Sequence, residues 1–78
     1  MKQRITYAID VDIIDEFENV IDSIRELEFN EYDSAKEKFD KIKKSGEYDG
    51  ETSISVQLME VDNRQDSFST LEIFKQIK

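Results

Sequence analysis

The sequence contains no cysteine, no histidine, no proline and no tryptophan, and only two glycines. Without Cys and His there can be no Ser–His or Cys–His nucleophilic pair, no common zinc site and no imidazole general base. Gly46 and Gly50 lack the following Lys-Ser/Thr of a phosphate-binding loop, and they are too few for a dinucleotide fingerprint. The missing cysteines also remove the disulfide staples that small secreted domains rely on, which predicts a reducing, cytoplasmic setting. No apolar run approaches the roughly 20 residues of a membrane helix. The basic start Met1-Lys2-Gln3-Arg4 is not followed by an apolar stretch of signal-peptide length. Together these absences predict a protein that is not an enzyme and holds no cofactor and no metal.

What is present is charge and aromatic mass. Charged residues make up 38% of the 78 residues and apolar residues 37%, which is lean for a folded chain. The five Phe and three Tyr offset this, because each aromatic buries a large area. A disordered chain would be poor in aromatic and β-branched residues. The length allows one core, so residues 1–78 are expected to form a single domain. The net charge of −8 has the wrong sign for phosphate backbones and for anionic membrane surfaces. It predicts no direct nucleic-acid binding and no membrane binding, and it favours a partner with a basic surface.

Ile5, Tyr7, Ile9 and Val11 alternate with Thr6, Ala8 and Asp10, the period of a half-buried strand. Residues 31–44 carry Tyr32, Ala35, Phe39 and Ile42 at helical spacing. Asn30 stands in the cap position, Glu37–Lys41 and Asp40–Lys44 are i,i+4 pairs, and Lys43 and Lys44 complement the C-terminal dipole. A turn-rich connection, Ser45-Gly46-Glu47-Tyr48-Asp49-Gly50, follows. Ile54, Val56 and Leu58 then mark a second strand running to about Val61. Residues 62–67 form a polar loop, and Leu71, Ile73, Lys75 and Ile77 suit a closing strand, although Leu71, Phe74 and Ile77 also fit a short helix.

The stretch 12–28 is ambiguous. Ile13, Ile14, Phe17, Val20, Ile21, Ile24 and Leu27 match a helical stripe, so periodicity favours a second helix. The alternative is a β-hairpin: a strand to Ile14, a turn near Glu18-Asn19 and a return strand through Leu27 and Phe29. Either version is an α+β fold, a small, mainly antiparallel sheet of three to four strands with helix 31–44 packed on one face.

Carboxylates are abundant without a catalytic pattern. Asp10, Asp12, Asp15 and Glu16 suggest paired acids or a Mg²⁺ site, but nothing fixes their geometry, and solvated positions beside a strand account for them. Asp62, Arg64 and Asp66 echo a calcium loop in spacing alone, since Arg64, Ser67 and Ile73 occupy positions that need a ligand, a glycine and a glutamate. The distribution of charge is more informative. Between Asp10 and Asp33 lie ten acids and one base, Arg25, whereas residues 34–45 hold five lysines against Glu37 and Asp40. The candidate partner-binding residues are therefore Asp10, Asp12, Asp15, Glu16, Glu18, Asp22, Glu26, Glu28 and Glu31, with Tyr32 as an anchor. Phe17 and Phe29 are assigned to the core. The competing explanation for the acids is a coat that keeps the protein soluble.

In size, charge and residue style, and in the run Phe29-Asn30-Glu31-Tyr32-Asp33-Ser34-Ala35 leading into Lys36-Glu37-Lys38-Phe39, the chain resembles the short acidic accessory proteins of Gram-positive phages and mobile elements. These include anti-CRISPR proteins, anti-restriction proteins and uracil-DNA glycosylase inhibitors. The resemblance implies a non-enzymatic inhibitor that occupies the basic, nucleic-acid-binding surface of a target protein, and it assigns no residue-level roles. The alternative expectation is a small structural or regulatory subunit that dimerises through helix contacts or through a strand edge, the first strand or the last.

Overall fold

The computed structural model describes residues 3–45 and 53–77. The element order is β1 (Ile5–Ile14), β2 (Val20–Phe29), α1 (Tyr32–Ser45), β3 (Ser53–Asp62) and β4 (Ser67–Gln76). The four strands form one antiparallel sheet in the order β2-β1-β3-β4. The α+β architecture is as expected, with a helix on one face of an antiparallel sheet. The glycine-bracketed connection at 46–50 lies outside the described residues.

Alternation on the two central strands places Ile9 and Val11 beside Leu58 and Val56, facing the helix. Ala35, Phe39 and Ile42 of α1 close over them, and Phe39 is fully buried. Its ring meets Phe74 of β4 edge-on at 5.2 Å between centroids, a favourable aromatic geometry. Tyr32, at the head of the helical stripe, is 43% exposed and meets Tyr7 edge-on at 5.6 Å. The first helical backbone bond runs from Ala35 N–H to Glu31 O at 3.2 Å, so the cap position is Glu31 rather than Asn30. Glu37–Lys41 forms as expected, whereas Asp40 pairs with Lys36 on its N-terminal side rather than with Lys44.

The preference for helix over 12–28 is overturned: the segment is the β1–β2 hairpin. The physical reason lies in two register shifts. Val11 faces Arg25 but Asp12 faces Ser23, and Ile13 faces Asp22 but Ile14 faces Val20. Ile24 and Ile21 are thus extra residues in β2, inserted as bulges. Each insertion breaks the period of two and leaves apolar residues three and four apart, imitating a helical stripe. The same device operates in β4, where Leu58 faces Glu72 but Met59 faces Thr70, leaving Leu71 as the extra residue.

Aspartates shape both hairpin turns. Asp15 Oδ1 accepts from the backbone N–H groups of Phe17 and Asn19, each at 2.9 Å. Asp62 Oδ1 accepts from those of Arg64 at 3.0 Å and Gln65 at 3.2 Å. Such side-chain mimicry of backbone turns is typical of Asp. Each turn also holds one residue in the left-handed region, Glu18 at φ 64° and Asp66 at φ 54°. Phe17, assigned to the core by its sequence, rides on the first turn and is 75% exposed, while Phe29 packs against the core as expected.

Candidate functional site

The sheet face away from α1 carries the even-numbered residues of β1, namely Thr6, Ala8, Asp10, Asp12 and Ile14, beside Val61, Met59, Gln57 and Ser55 of β3. The β1–β2 turn reaches across this face at one end. Glu18 Oε1 accepts from Lys75 Nζ at 2.9 Å, although β3 separates β1 from β4. Ile14, Asp12 and Ser55 at that end are only 4%, 6% and 2% exposed. The expectation that Asp12 is solvated is therefore corrected.

The other end remains open as a hollow of about 560 Å³. One wall is acidic, formed by Asp10 of β1 with Glu26 and Glu28 of β2. Across from it, Met59 and Val61 of β3 with Phe68 and Ile73 of β4 form an apolar wall, interrupted by Gln57 and Thr70 and bounded by Asn63 and Asp66 of the β3–β4 turn. Phe68 is 70% exposed and Ile73 half-exposed, so these side chains are presented rather than packed.

Asp10 and Glu26 are direct cross-strand partners, as are Ala8 and Glu28. Like charges directly opposite each other destabilise a sheet. Burial raises the Asp10 pKa above the ordinary carboxylate value, with the negative charges of Asp12 and then Glu26 pushing the same way. A hydrogen bond from Ser23 Oγ to Asp10 Oδ1, at 3.3 Å, works against them. Among the described residues, no three His, Cys, Asp or Glu side chains are placed to hold a metal ion.

The ten candidate residues divide into three groups. Asp10, Glu26 and Glu28 converge on the hollow, and Asp12 sits behind them, buried. Asp15, Glu16 and Glu18 belong to the turn, where the Asp15 carboxylate is committed to backbone groups and Glu18 to Lys75. Asp22 lies in the bulged half of β2, its Oδ1 accepting from Ser23 N–H at 2.9 Å, while Glu31 and Tyr32 stand at the start of the helix. The apolar wall was missed in the sequence. Its signal was available: Met59, Val61, Phe68 and Ile73 are apolar on a face that a half-solvated antiparallel sheet would make polar.

The lysines at the C-terminal end of α1 are kept away from the hollow. Lys41, Lys43 and Lys44 are exposed on α1, on the other side of the sheet from the hollow. The charge asymmetry along the sequence thus becomes an asymmetry between two faces.

No protein-family model, curated protein or solved structure matches the chain. Among the described residues no helix is long and apolar enough to cross a membrane.

Proposed function

We propose that this protein is a non-enzymatic binding module, an acidic inhibitor that occupies a basic, nucleic-acid-binding surface of a target protein in the manner of anti-CRISPR or anti-restriction proteins. The observation that carries this reading is the Asp10–Glu26 pair, like charges held opposite each other beside an open apolar wall. Folding alone gives no reason to keep them there, since a neutral pair would be more stable. A basic partner supplies counter-charge to this pair. Carboxylates then stand in for phosphates, and Phe68 and Ile73 add the apolar contact that charge by itself does not provide. The lysine-bearing helix on the opposite face helps to orient the approach.

The test is binding of the purified chain to a panel of nucleic-acid-handling enzymes, namely restriction endonucleases, RNA-guided nucleases and uracil-DNA glycosylases. Association rates are measured at low and physiological salt, with short duplex DNA as competitor. For a true target, salt slows association and DNA displaces the chain. The triple reversal Asp10→Lys, Glu26→Lys, Glu28→Lys slows association at least tenfold, by the range over which such fields change on-rates. Reversal of Lys41, Lys43 and Lys44 has the smaller effect. Binding that ignores the acidic triple reversal, or that leaves the target free to bind DNA, refutes the reading.

A further inference from the structure

The first strand, expected as a dimerisation edge, is central, between β2 and β3, so what it offers a partner is a face. On the face away from α1, acids and apolar side chains lie side by side across the strands. Asp10, Glu26 and Glu28 stand on β1 and β2, and Phe68 and Ile73 on β4. Between the two groups Ala8 lies opposite Glu28 on one side and Met59 on the other. Ala8 is the smallest of the lining residues, which deepens the hollow between its two walls.

Two properties select the occupant. The first is charge. Among the described residues lining the hollow are four acids, Asp10, Glu26, Glu28 and Asp66, and no Lys or Arg. That sign rejects nucleic acid. It also rejects a second copy of the chain, which carries −8 and whose basic helix α1 has its apolar side buried against the sheet. The second property is arrangement. Adjacent strands are about 4.8 Å apart, so the acids of β2 and the apolar side chains of β4 are separated by roughly 14 Å across the sheet. An extended chain laid along the strands turns successive side chains to opposite faces and shows the sheet a single row. A helix is about 10–12 Å wide with its side chains, and it carries neighbouring stripes of residues. The hollow runs along β3 from Gln57 to Asn63. That is roughly 20 Å, or three to four helical turns.

On the reading of the hollow as the binding surface, on which this inference rests, we propose that it receives a cationic amphipathic helix of the target protein. The helix lies along β1 and β3. Its Lys or Arg stripe sits over Asp10, Glu26 and Glu28, and its apolar stripe over Phe68 and Ile73. It covers the second face of the sheet as α1 covers the first, so that the sheet is buried between two helical layers.

The experiment measures binding of synthetic peptides of about 16 residues, a length at which an isolated helix is marginal in water. One peptide carries a leucine stripe beside an arginine stripe at helical spacing. The others are a scramble of the same composition, an oligo-arginine of the same charge, and the striped peptide with Glu in place of Arg. The striped cationic peptide should bind roughly tenfold tighter than the scramble and the oligo-arginine, and should gain helix on binding by circular dichroism. The glutamate peptide should not bind. Glu26→Lys and Phe68→Ser, both at exposed positions, should each weaken the striped peptide's binding while keeping the wild-type melting temperature. Glu37→Lys makes the same charge change on α1, on the far side of the sheet, and should leave binding unchanged. Equal affinity for the striped, scrambled and oligo-arginine peptides overturns the inference while leaving the hollow a cation-binding surface. Binding without gain of helix overturns it in the same way. If no cationic peptide binds, the inference falls and the proposed function loses its support as well.

Discussion

Asp10 and Glu26 lie directly opposite each other across the β1–β2 pair, two carboxylates on the one sheet face that the helix leaves open. Asp12 follows Asp10 on the same face of β1, and its charge adds to the repulsion. The Ser23 hydroxyl is the one hydrogen-bond donor recorded for the Asp10 carboxylate among the described residues. Under the proposed function, a basic partner relieves this local electrostatic tension.

Asp10→Asn therefore raises stability near neutral pH. Removal of one member of a like-charged cross-strand pair is worth about 0.2–1 kcal/mol. Urea unfolding at pH 7 checks it, with a higher midpoint at unchanged slope as the expected outcome. The same variant should slow association with the proposed basic partner, so stability and binding move in opposite directions.

The pH dependence of stability has two opposing carboxylates. Asp10 has a raised folded-state pKa, so its favourable contribution is complete below the ordinary value of 3.8 and is lost as pH rises through the raised value. For Asp62 desolvation pushes upward, but hydrogen bonds from Gln65, Arg4 and Arg64 outweigh it and lower the pKa. Its contribution is complete above 3.8 and is lost as pH falls through the lowered value. Hence Asp62→Asn should shed its stability penalty on acidification to below the lowered pKa. Asp10→Asn should likewise lose its stabilising effect at low pH. Thermal unfolding of both variants from pH 2 to pH 7 reads this crossing, and parallel profiles would contradict it.

Phe39→Ala should remove most of the stability of the fold. The ring is fully buried between the central strands and Phe74, and truncating a buried Phe costs about 3–5 kcal/mol. For a domain this small that is a large share of the total. Chemical denaturation gives the measure, and a wild-type midpoint would contradict the packing described.

Lys36 joins the helix to the sheet edge. It donates to Glu72 of β4 and to Asp40 of its own helix, which push its pKa up to about 12, and its Nζ lies 5.4 Å from the Phe39 ring centroid. Lys36→Met should leave global stability nearly unchanged, as partly exposed ion pairs contribute little. Amide exchange in the second half of β4 should nonetheless quicken, because this contact holds the outer strand against α1. Uniform exchange rates across the sheet would argue against that role.

The sequence by itself determined the first strand, the helix and the third strand, because each carries a clean periodicity, whereas the closing strand also fitted a short helix because the bulge at Leu71 interrupts its alternation. It also determined the charge asymmetry, since Asp10 through Asp33 and the lysines of α1 are separate blocks along the chain. Tertiary structure decided the rest. Single-residue bulges at Ile21, Ile24 and Leu71 add one to a period of two, and only pairing with the neighbouring strand reveals which residue is extra. Pairing also selected which acids act together. Asp10 and Glu26 are sixteen positions apart and meet through register, while Asp15 and Asp62, no different in composition, are used up in building turns. The apolar wall opposite them depends on strand order, which local pattern does not encode: β3 inserts beside β1 rather than β2, so Met59 and Val61 face the hollow next to the acids.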